Sequence, residues 1–224
     1  NASGMTPASA ASRGLTMVRG ANTATTITGS GGIDTLFGDD VTARNTSITG
    51  GAGNDTITSY GGNDTILGGE GDDQIGLITG GAGNDSIDGG AGNDAVVLLT
   101  GQLTVNDTIS GGEGIDTFAY DTYTVAAENV VAAQARISNF EILQLGVAAA
   151  AASDVTLTNY INNTGFTQIN IATQTAGLGA RGYDFINASS SLNTVSAIGA
   201  VAGTQTFDRL VDTSADSLTV RNAS

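Results

Sequence analysis

Residues 80–98 read Gly80-Gly-Ala-Gly-Asn-Asp-Ser-Ile-Asp88 and then Gly89-Gly-Ala-Gly-Asn-Asp-Ala-Val-Val-Leu98. One nine-residue pattern, G-G-x-G-x-D-x-U-x with U a large apolar residue, therefore occurs twice in succession. Working outward, the same unit begins at five further positions: Gly29, Gly50, Ser59, Gly68 and Gly111. Stepping by nine residues adds two units that lack the glycine pair, with Thr46 and Asp107 at the sixth position. Repetition at a fixed short period indicates stacked structural units.

The sixth-position residues sort into two rows if each turn of the chain contributes two short strands, because alternate units then lie on the same side. Row one contains Asp34, Asp55, Asp73, Asp94 and Asp116, and row two contains Thr46, Asp64, Asp85 and Asp107. Spacings of 21, 18, 21 and 22 residues in row one predict that the extra residues lengthen single strands after Asp34, Asp73 and Asp94. Two positions after each sixth residue stands a core candidate: Leu36, Ile48, Ile57, Ile66, Ile75, Ile87, Val96, Ile109 and Phe118.

The chemistry of the unit favours a hard cation. Calcium takes about six to eight oxygen ligands, and a tight turn supplies them most readily as backbone carbonyls and carboxylates. Glycine permits the positive φ angles that aim successive carbonyls inward. Two carboxylates about 5 Å apart repel by roughly 3 kcal/mol at an effective dielectric of about 20. Summed over both rows, this repulsion exceeds a usual net stability of about 5 to 15 kcal/mol, so folding is expected to need calcium. A lone Gly-Asn-Asp run would equally suit a hairpin turn.

Composition excludes several classes of protein. The chain has 22 acidic residues against seven basic ones and a net charge of −15, which disfavours nucleic acid and anionic membranes as partners. It has no Cys and no His, which removes disulfides, thiol chemistry, Ser-His-Asp triads and His zinc sites. Aromatic residues make up 5%, too few for an ordinary globular core. The longest apolar stretch, residues 145–152, is too short for membrane insertion. Without an initiator Met or leader, the chain is expected to be a segment of a longer protein.

With these units the chain resembles the RTX (repeats-in-toxin) calcium-binding family. The resemblance implies an all-β fold: a parallel β-roll or β-solenoid with nonapeptide calcium-binding turns, continuing into a β-rich, solenoid-like second half. The expected divisions are a leading segment or linker at 1–27, the calcium-binding β-roll at 28–119 and a β-rich region of surface-layer type at 120–224.

The resemblance also implies several calcium ions, each between two turns of one row and held by backbone carbonyls and two Asp carboxylates. The position with Thr46 has one carboxylate and is expected to be weak or empty. The metal-binding residues implied in this way are Asp34, Gly50, Gly51, Ala52, Gly53, Asp55, Asp64, Gly68, Gly69, Glu70, Gly71, Asp73, Gly80, Gly81, Ala82, Gly83, Asp85, Gly89, Gly90, Ala91, Gly92, Asp94, Asp107, Gly111, Gly112, Glu113, Gly114 and Asp116. Acidic residues off the rows, Asp39, Asp40, Asp72 and Asp88, are candidates for additional or intermolecular calcium.

The second half loses the nonapeptide but keeps β character. Apolar residues alternate at Val155 to Leu157, Ile169 to Ile171 and Leu218 to Val220, whereas residues 125–137 suit a short helix or a loop. The last repeat, Gly111 to Phe118, is followed by Ile137-Ser-Asn-Phe-Glu-Ile-Leu-Gln-Leu145 and Gly165-Phe-Thr-Gln-Ile-Asn-Ile171. This order resembles RTX-type surface-layer (S-layer) proteins of Gram-negative bacteria.

The S-layer resemblance implies a secreted, non-enzymatic structural protein at the cell surface, exported by type I secretion and self-assembling with calcium. Its expected partner is itself, in a homo-oligomeric lattice. A second candidate partner is a cell-surface polysaccharide, bound through a region outside this segment. Two alternatives remain open: the non-catalytic RTX roll of a type I secreted enzyme, or a stalk in a calcium-dependent adhesin.

Overall fold

The protein is described by a computed structural model covering residues 16–19, 25–38, 44–77, 83–99, 101–123, 136–148, 153–156, 165–172, 183–188, 194–198, 206–209 and 219–223. All regular structure in these ranges is β, with no helix. The strands are β1 (Thr16–Arg19), β2 (Thr25–Thr28), β3 (Thr35–Phe37), β4 (Thr46–Ala52), β5 (Thr56–Ser59), β6 (Thr65–Glu70), β7 (Gln74–Leu77), β8 (Ser86–Ala91), β9 (Ala95–Leu98), β10 (Thr108–Glu113), β11 (Thr117–Tyr123), β12 (Arg136–Ser138), β13 (Ile142–Ala148), β14 (Ser153–Thr156), β15 (Gln168–Ala172), β16 (Tyr183–Ala188), β17 (Thr194–Ile198), β18 (Thr206–Arg209) and β19 (Thr219–Ala223).

Three parallel sheets contain these strands. Sheet A joins the ten odd-numbered strands in the order β1-β3-β5-β7-β9-β11-β13-β15-β17-β19, and sheet B joins six strands in the order β12-β10-β8-β6-β4-β2. Sheet C joins β14, β16 and β18. Consecutive strands of the repeat region alternate between sheets A and B, as a two-strand turn of a solenoid requires. The predicted parallel β-roll is confirmed, and a hairpin reading of the Gly-Asn-Asp turns is wrong for the described residues because all their strand pairings are parallel.

The core is a narrow double column of apolar side chains. Every predicted core residue is buried, with an exposed fraction of 0–2% from Leu36 to Phe118. Register places Ile48, Ile66, Ile87 and Ile109 in one line across sheet B. In sheet A a matching line runs from Leu36 through Phe118 to Leu143 and Ile169. One large residue per strand therefore provides the core that a chain poor in aromatics could not assemble around a single centre.

The extra residues after Asp94 do not lengthen the strand, so that part of the prediction is wrong. The extra residues predicted after Asp34 and Asp73 lie largely outside the described residues. β9 ends at Leu98 and has four residues, as do β5 and β7. The residues after β9 instead turn on themselves, with Leu99 N–H donating to Gln102 Oε1 and Gln102 N–H donating to the Leu99 carbonyl. Hydrogen bonds from a side chain to the backbone compete with the hydrogen bonds between strands, which explains why β9 ends at Leu98.

Beyond the repeats, sheet A continues through β13, β15, β17 and β19 without a break in pairing. The strands predicted at Val155, Ile169 and Leu218 correspond to β14, β15 and β19. The short helix or loop predicted for 125–137 lies largely outside the described residues. Only its last two residues are described, and they belong to β12. Among the described residues, the structure contains no helix with the length and apolar character needed to cross a membrane.

Candidate metal centre

Row one lies at the corner where the chain leaves sheet B and enters sheet A. The first three residues of each complete row-one repeat, such as Gly68 to Glu70, are the last residues of a sheet B strand. The turn then passes through Gly71 and ends at Asp73, just before β7. Gly69 and Gly71 have φ angles of 126° and 116°, the positive region that the repeat's glycines were expected to supply. Successive turns therefore stack directly on one another.

A continuous chain of backbone-to-carboxylate hydrogen bonds runs along each row. The N–H of Asp55 donates to Oδ1 of Asp73 over 2.8 Å, and the N–H of Asp73 donates to Oδ1 of Asp94 over 2.8 Å. Equivalent bonds join Asp34 to Asp55 and Asp94 to Asp116. Row two repeats the arrangement from Thr46 to Asp64, Asp85 and Asp107. The two predicted rows are confirmed, and each row Asp after Asp34 uses one carboxylate oxygen to fix the preceding turn.

In four of the five row-one carboxylates, the second oxygen has no partner within the protein, whereas Oδ2 of the first, Asp34, accepts the N–H of Ser30. Oδ2 is buried and makes no hydrogen bond in Asp55, Asp73, Asp94 and Asp116, and these side chains are 0–2% exposed. An ionised oxygen buried without a partner is strongly unfavourable unless a cation compensates it. Row one therefore contains a line of free anionic ligands directed at the turns.

Each free oxygen lies beside a backbone cradle that has no room for a side chain. A Cβ placed on Gly89 would lie 2.5 Å from Asp94 Oδ2 and would also collide with the carbonyl oxygen of Gly111 in the next turn. The glycine at the first position therefore keeps a space between a carboxylate oxygen and a carbonyl oxygen. Among the described residues, no group of three or more Asp, Glu, His or Cys could hold a metal, which agrees with the prediction that backbone carbonyls contribute to the ligand set. Oxygen ligands of these two kinds suit calcium.

Row two provides fewer free oxygens. The hydroxyl of Ser59 donates to Asp64 Oδ2, and the N–H of Thr104 donates to Asp107 Oδ2 over 2.7 Å. The hydroxyl of Thr104 also lies 2.8 Å from Asp107 Oδ1. Protein groups thus occupy the carboxylate oxygens that remain free in row one. Both departures coincide with repeats in which Gly-Gly is replaced, by Ser59-Tyr60 and by Gln102-Leu103.

Burial raises the pKa of the row carboxylates in the metal-free protein. The pKa of Asp73 and that of Asp85 rise to about 7 and that of Asp94 to about 6, first because burial removes water and then because neighbouring carboxylates repel. The pKa values of Asp55, Asp64, Asp107 and Asp116 are also raised, again chiefly by burial. A row that resists ionisation without a counter-ion is suited to bind one.

The structure places most predicted ligand residues in these turns. The glycine-containing stretches 50–53, 68–71, 89–92 and 111–114 form the row-one corners, and Gly83 stacks on Gly62 in row two. Gly80, Gly81 and Ala82 lie outside the described residues, as do Asp39 and Asp40. Asp72 and Asp88 are exposed, and Asp72 Oδ1 accepts the N–H of Asn93. The exact ligand set stays a prediction.

The sequence marked the repeats at Ser59 and Asp107 as irregular and their sites as less secure. It did not show that Ser59 and Thr104 bind the row-two carboxylates, or that Glu141 stands at the end of row one. Glu141 Oε2 accepts the N–H of Asp116 over 2.8 Å, the bond that an Asp makes elsewhere. A signal was available for Glu141, because it follows Asp116 by 25 residues and precedes an Ile-Leu strand.

Comparison with known families agrees with this geometry. The family model of the RTX calcium-binding nonapeptide repeat matches four copies, at residues 19–40, 41–75, 77–101 and 106–118. These turns are similar to RTX calcium-binding repeats. The RTX repeats bind calcium, and their number means that several ions are bound. Proteins with RTX repeats are generally secreted, which agrees with an extracellular location. No curated protein and no solved structure matches the chain.

Proposed function

We propose that this chain is a non-enzymatic structural segment of an extracellular bacterial surface layer, folding and self-assembling with calcium. The observation that carries the proposal is the continuity of sheet A from the RTX repeats into β13, β15, β17 and β19. A roll attached to a catalytic domain would be expected to end where the repeats end. Here the calcium-binding part and the repeat-free part share one sheet, which suits an extended building element.

Calcium-dependent folding suits export. Buried carboxylates such as Asp73 and Asp94 oppose folding until calcium neutralises them. A chain that stays unfolded at low calcium and folds at the roughly millimolar calcium of extracellular modules is compatible with type I secretion. Calcium would therefore separate the state that is exported from the state that assembles.

The outer surface offers regular contacts for a second copy. Thr65 and Ser86 are exposed on sheet B and lie in register, with Ser47 and Thr108 on either side. Exposed carboxylates, among them Glu70, Asp72 and Asp88, lie on or beside the same strands. Carboxylates on neighbouring molecules can share calcium, so the partner we propose is another copy of this chain. A cell-surface polysaccharide, bound outside this segment, stays a second candidate.

The experiment is electron microscopy of the purified chain, first in chelator and then at roughly millimolar calcium. Ordered sheets or filaments that form only with calcium are the expected result. Magnesium at the same concentration is the matched control, because it prefers a smaller octahedral site and keeps its waters. Folded but dispersed particles would contradict self-assembly and favour the roll of a larger secreted enzyme or adhesin.

The variant Asp88→Asn separates assembly from folding. Asp88 is exposed on β8 and is not one of the row carboxylates. We expect the variant to fold at a similar calcium concentration and to assemble more weakly. Unchanged assembly would remove Asp88 from the contact, and loss of folding would show that its role is internal.

A further inference from the structure

The short corner Asn139-Phe140-Glu141 occupies the place of a row-one turn although it lacks the nonapeptide. β10 pairs with β12 up to Ser110 opposite Ser138, and β11 pairs with β13 from Thr117 opposite Ile142. Between the paired strands, the chain crosses from sheet B to sheet A through residues 111–116 in one turn of the roll and through residues 139–141 in the next turn. The chain thus turns from sheet B to sheet A once more, with half as many residues.

Asn139 supplies a backbone carbonyl at the position that glycine occupies in the repeats. A Cβ on Gly111 would collide with the Asn139 carbonyl oxygen, just as a Cβ on Gly89 would collide with the Gly111 carbonyl oxygen. Asn139 has φ 57°, the only positive φ at a non-glycine residue in the described part of the chain. Asn tolerates this conformation better than most residues. Its side chain also donates from Nδ2 to Ser110 Oγ over 3.2 Å, which ties the corner to sheet B.

Glu141 takes the role of the next row-one Asp. Its Oε2 accepts the Asp116 N–H over 2.8 Å, and Asp116 Oδ1 accepts the Asp94 N–H over 2.7 Å. The N–H groups of Glu141 and Ile142 both donate to the Asp116 carbonyl. The extra methylene of Glu extends the reach of the side chain, which compensates for the shorter turn.

A buried ligand oxygen faces this corner. Asp116 is fully buried, and its Oδ2 has no hydrogen-bond partner. A Cβ on Gly111 would lie 2.7 Å from that oxygen, on the side where the Asn139 carbonyl also lies. The same combination of free carboxylate oxygen, glycine and next-turn carbonyl occurs at Asp55, Asp73 and Asp94.

We infer that Asp116, Glu141 and the Asn139 carbonyl form an additional calcium site, one level beyond the last RTX repeat. The site ends row one and joins the calcium-binding roll to β13, the first strand of sheet A without a nonapeptide. Two of its three ligands, Asn139 and Glu141, lie past residue 118, where the family match ends. The inference does not depend on lattice assembly, since it concerns binding within one chain.

Calcium counting by equilibrium dialysis of the full chain tests the site. Glu141→Gln keeps a carbonyl oxygen for the Asp116 N–H but removes the charge. Asp184→Asn is the control with the same loss of charge, because Asp184 lies on β16 in sheet C and belongs to neither row. We expect Glu141→Gln to bind one ion fewer than the wild type and Asp184→Asn to bind the same number. Equal numbers in all three would overturn the site, whereas no calcium on the wild type would overturn the proposed function itself.

A wild-type measurement covers the case in which Glu141→Gln does not fold. The chain has four glutamates, Glu70, Glu113, Glu128 and Glu141, so labelling of the carboxyl carbon gives few NMR signals. At saturating calcium, the Glu141 signal should lie away from the position it has in the urea-unfolded chain, as expected for a metal-bound carboxylate, while exposed Glu70 and Glu113 stay close to theirs. A Glu141 signal at its unfolded-chain position would overturn the site.

Discussion

At the residue scale, the sixth-position Asp performs two tasks with one carboxylate. In the row-one residues after Asp34, Oδ1 accepts the N–H of the preceding turn, and Oδ2 stays free for the cation. Asn can perform the first task but carries no charge for the second. This division explains why a neutral isostere tests calcium binding without removing the turn's hydrogen bond.

Asp73→Asn should raise the calcium concentration needed for folding, whereas Asp72→Asn should not. The two residues are neighbours in one turn and lose the same charge, but Asp73 is 2% exposed with a free Oδ2, and Asp72 is exposed. We expect the calcium midpoint of folding to rise on the order of tenfold for Asp73→Asn, since ligand charge strongly tunes calcium affinity. Circular dichroism during a calcium titration measures the midpoint, and equal shifts in both variants would contradict the assignment.

Gly90→Ala should prevent normal stacking of the turns. Gly90 has φ 112°, and a Cβ there would collide with the Gly69 carbonyl oxygen. Backbone strain alone is expected to cost about 1–3 kcal/mol, with the steric clash added. Gly76→Ala is the control, because its Cβ would meet nothing nearer than the Val97 carbonyl at 4.0 Å. Urea unfolding in saturating calcium compares them, and a tolerated Gly90→Ala would show that the turns are not closely packed.

At the element scale, no strand is stable by itself. The repeat strands have three to seven residues, and each gains its partners only from the levels above and below. Each turn of the roll is therefore stabilised mainly by its contacts with the two neighbouring turns, as in other solenoids. The buried apolar column supplies the hydrophobic part of those interfaces.

Ile66→Ala should destabilise the roll strongly, and Leu67→Ala should hardly affect it. Ile66 is fully buried in β6, whereas Leu67 is 45% exposed on the opposite face. Deleting the buried side chain is expected to lower the free energy of unfolding by about 2–5 kcal/mol. A surface substitution usually changes it by about 0.5 kcal/mol or less. Denaturant unfolding with calcium present gives both values, and similar losses would mean that the column is not the core.

At the scale of the whole molecule, the two rows of buried carboxylates govern how the folding of the metal-free protein depends on pH. Burial and mutual repulsion raise the folded-state pKa of Asp73 and of Asp85 to about 7, from the ordinary 3.8. Folding without calcium therefore takes up protons. Protonation and calcium binding are alternative ways to neutralise the same side chains.

In chelator, the protein should gain β structure as the pH falls from about 8 to about 5. A carboxyl group whose pKa is raised on folding favours the folded state at acid pH, and this contribution is lost as the pH rises through the folded-state value near 7. Circular dichroism across this range, with a calcium-saturated sample as the folded reference, measures the effect. A metal-free protein that is fully folded at pH 8 would contradict it.

Much of the roll follows from the sequence because the repeat's chemistry is local. Glycine at fixed positions sets the turn, Asp at the sixth position supplies the ligand, and one apolar residue two positions later, such as Ile66, fills the column. These relations span nine residues, so the two rows and a hard cation could be predicted without knowing any distant contact. The parallel solenoid was implied by the resemblance to RTX repeats.

Only the tertiary structure decided which carboxylate oxygens are free and where row one ends. Ser59 and Thr104 occupy oxygens in row two, and Asn139 and Glu141 join row one without belonging to a repeat. The physical reason is register: Glu141 reaches Asp116 because β13 pairs with β11 across a segment that carries no period. Residues brought together by strand pairing alone leave no regular spacing in the sequence.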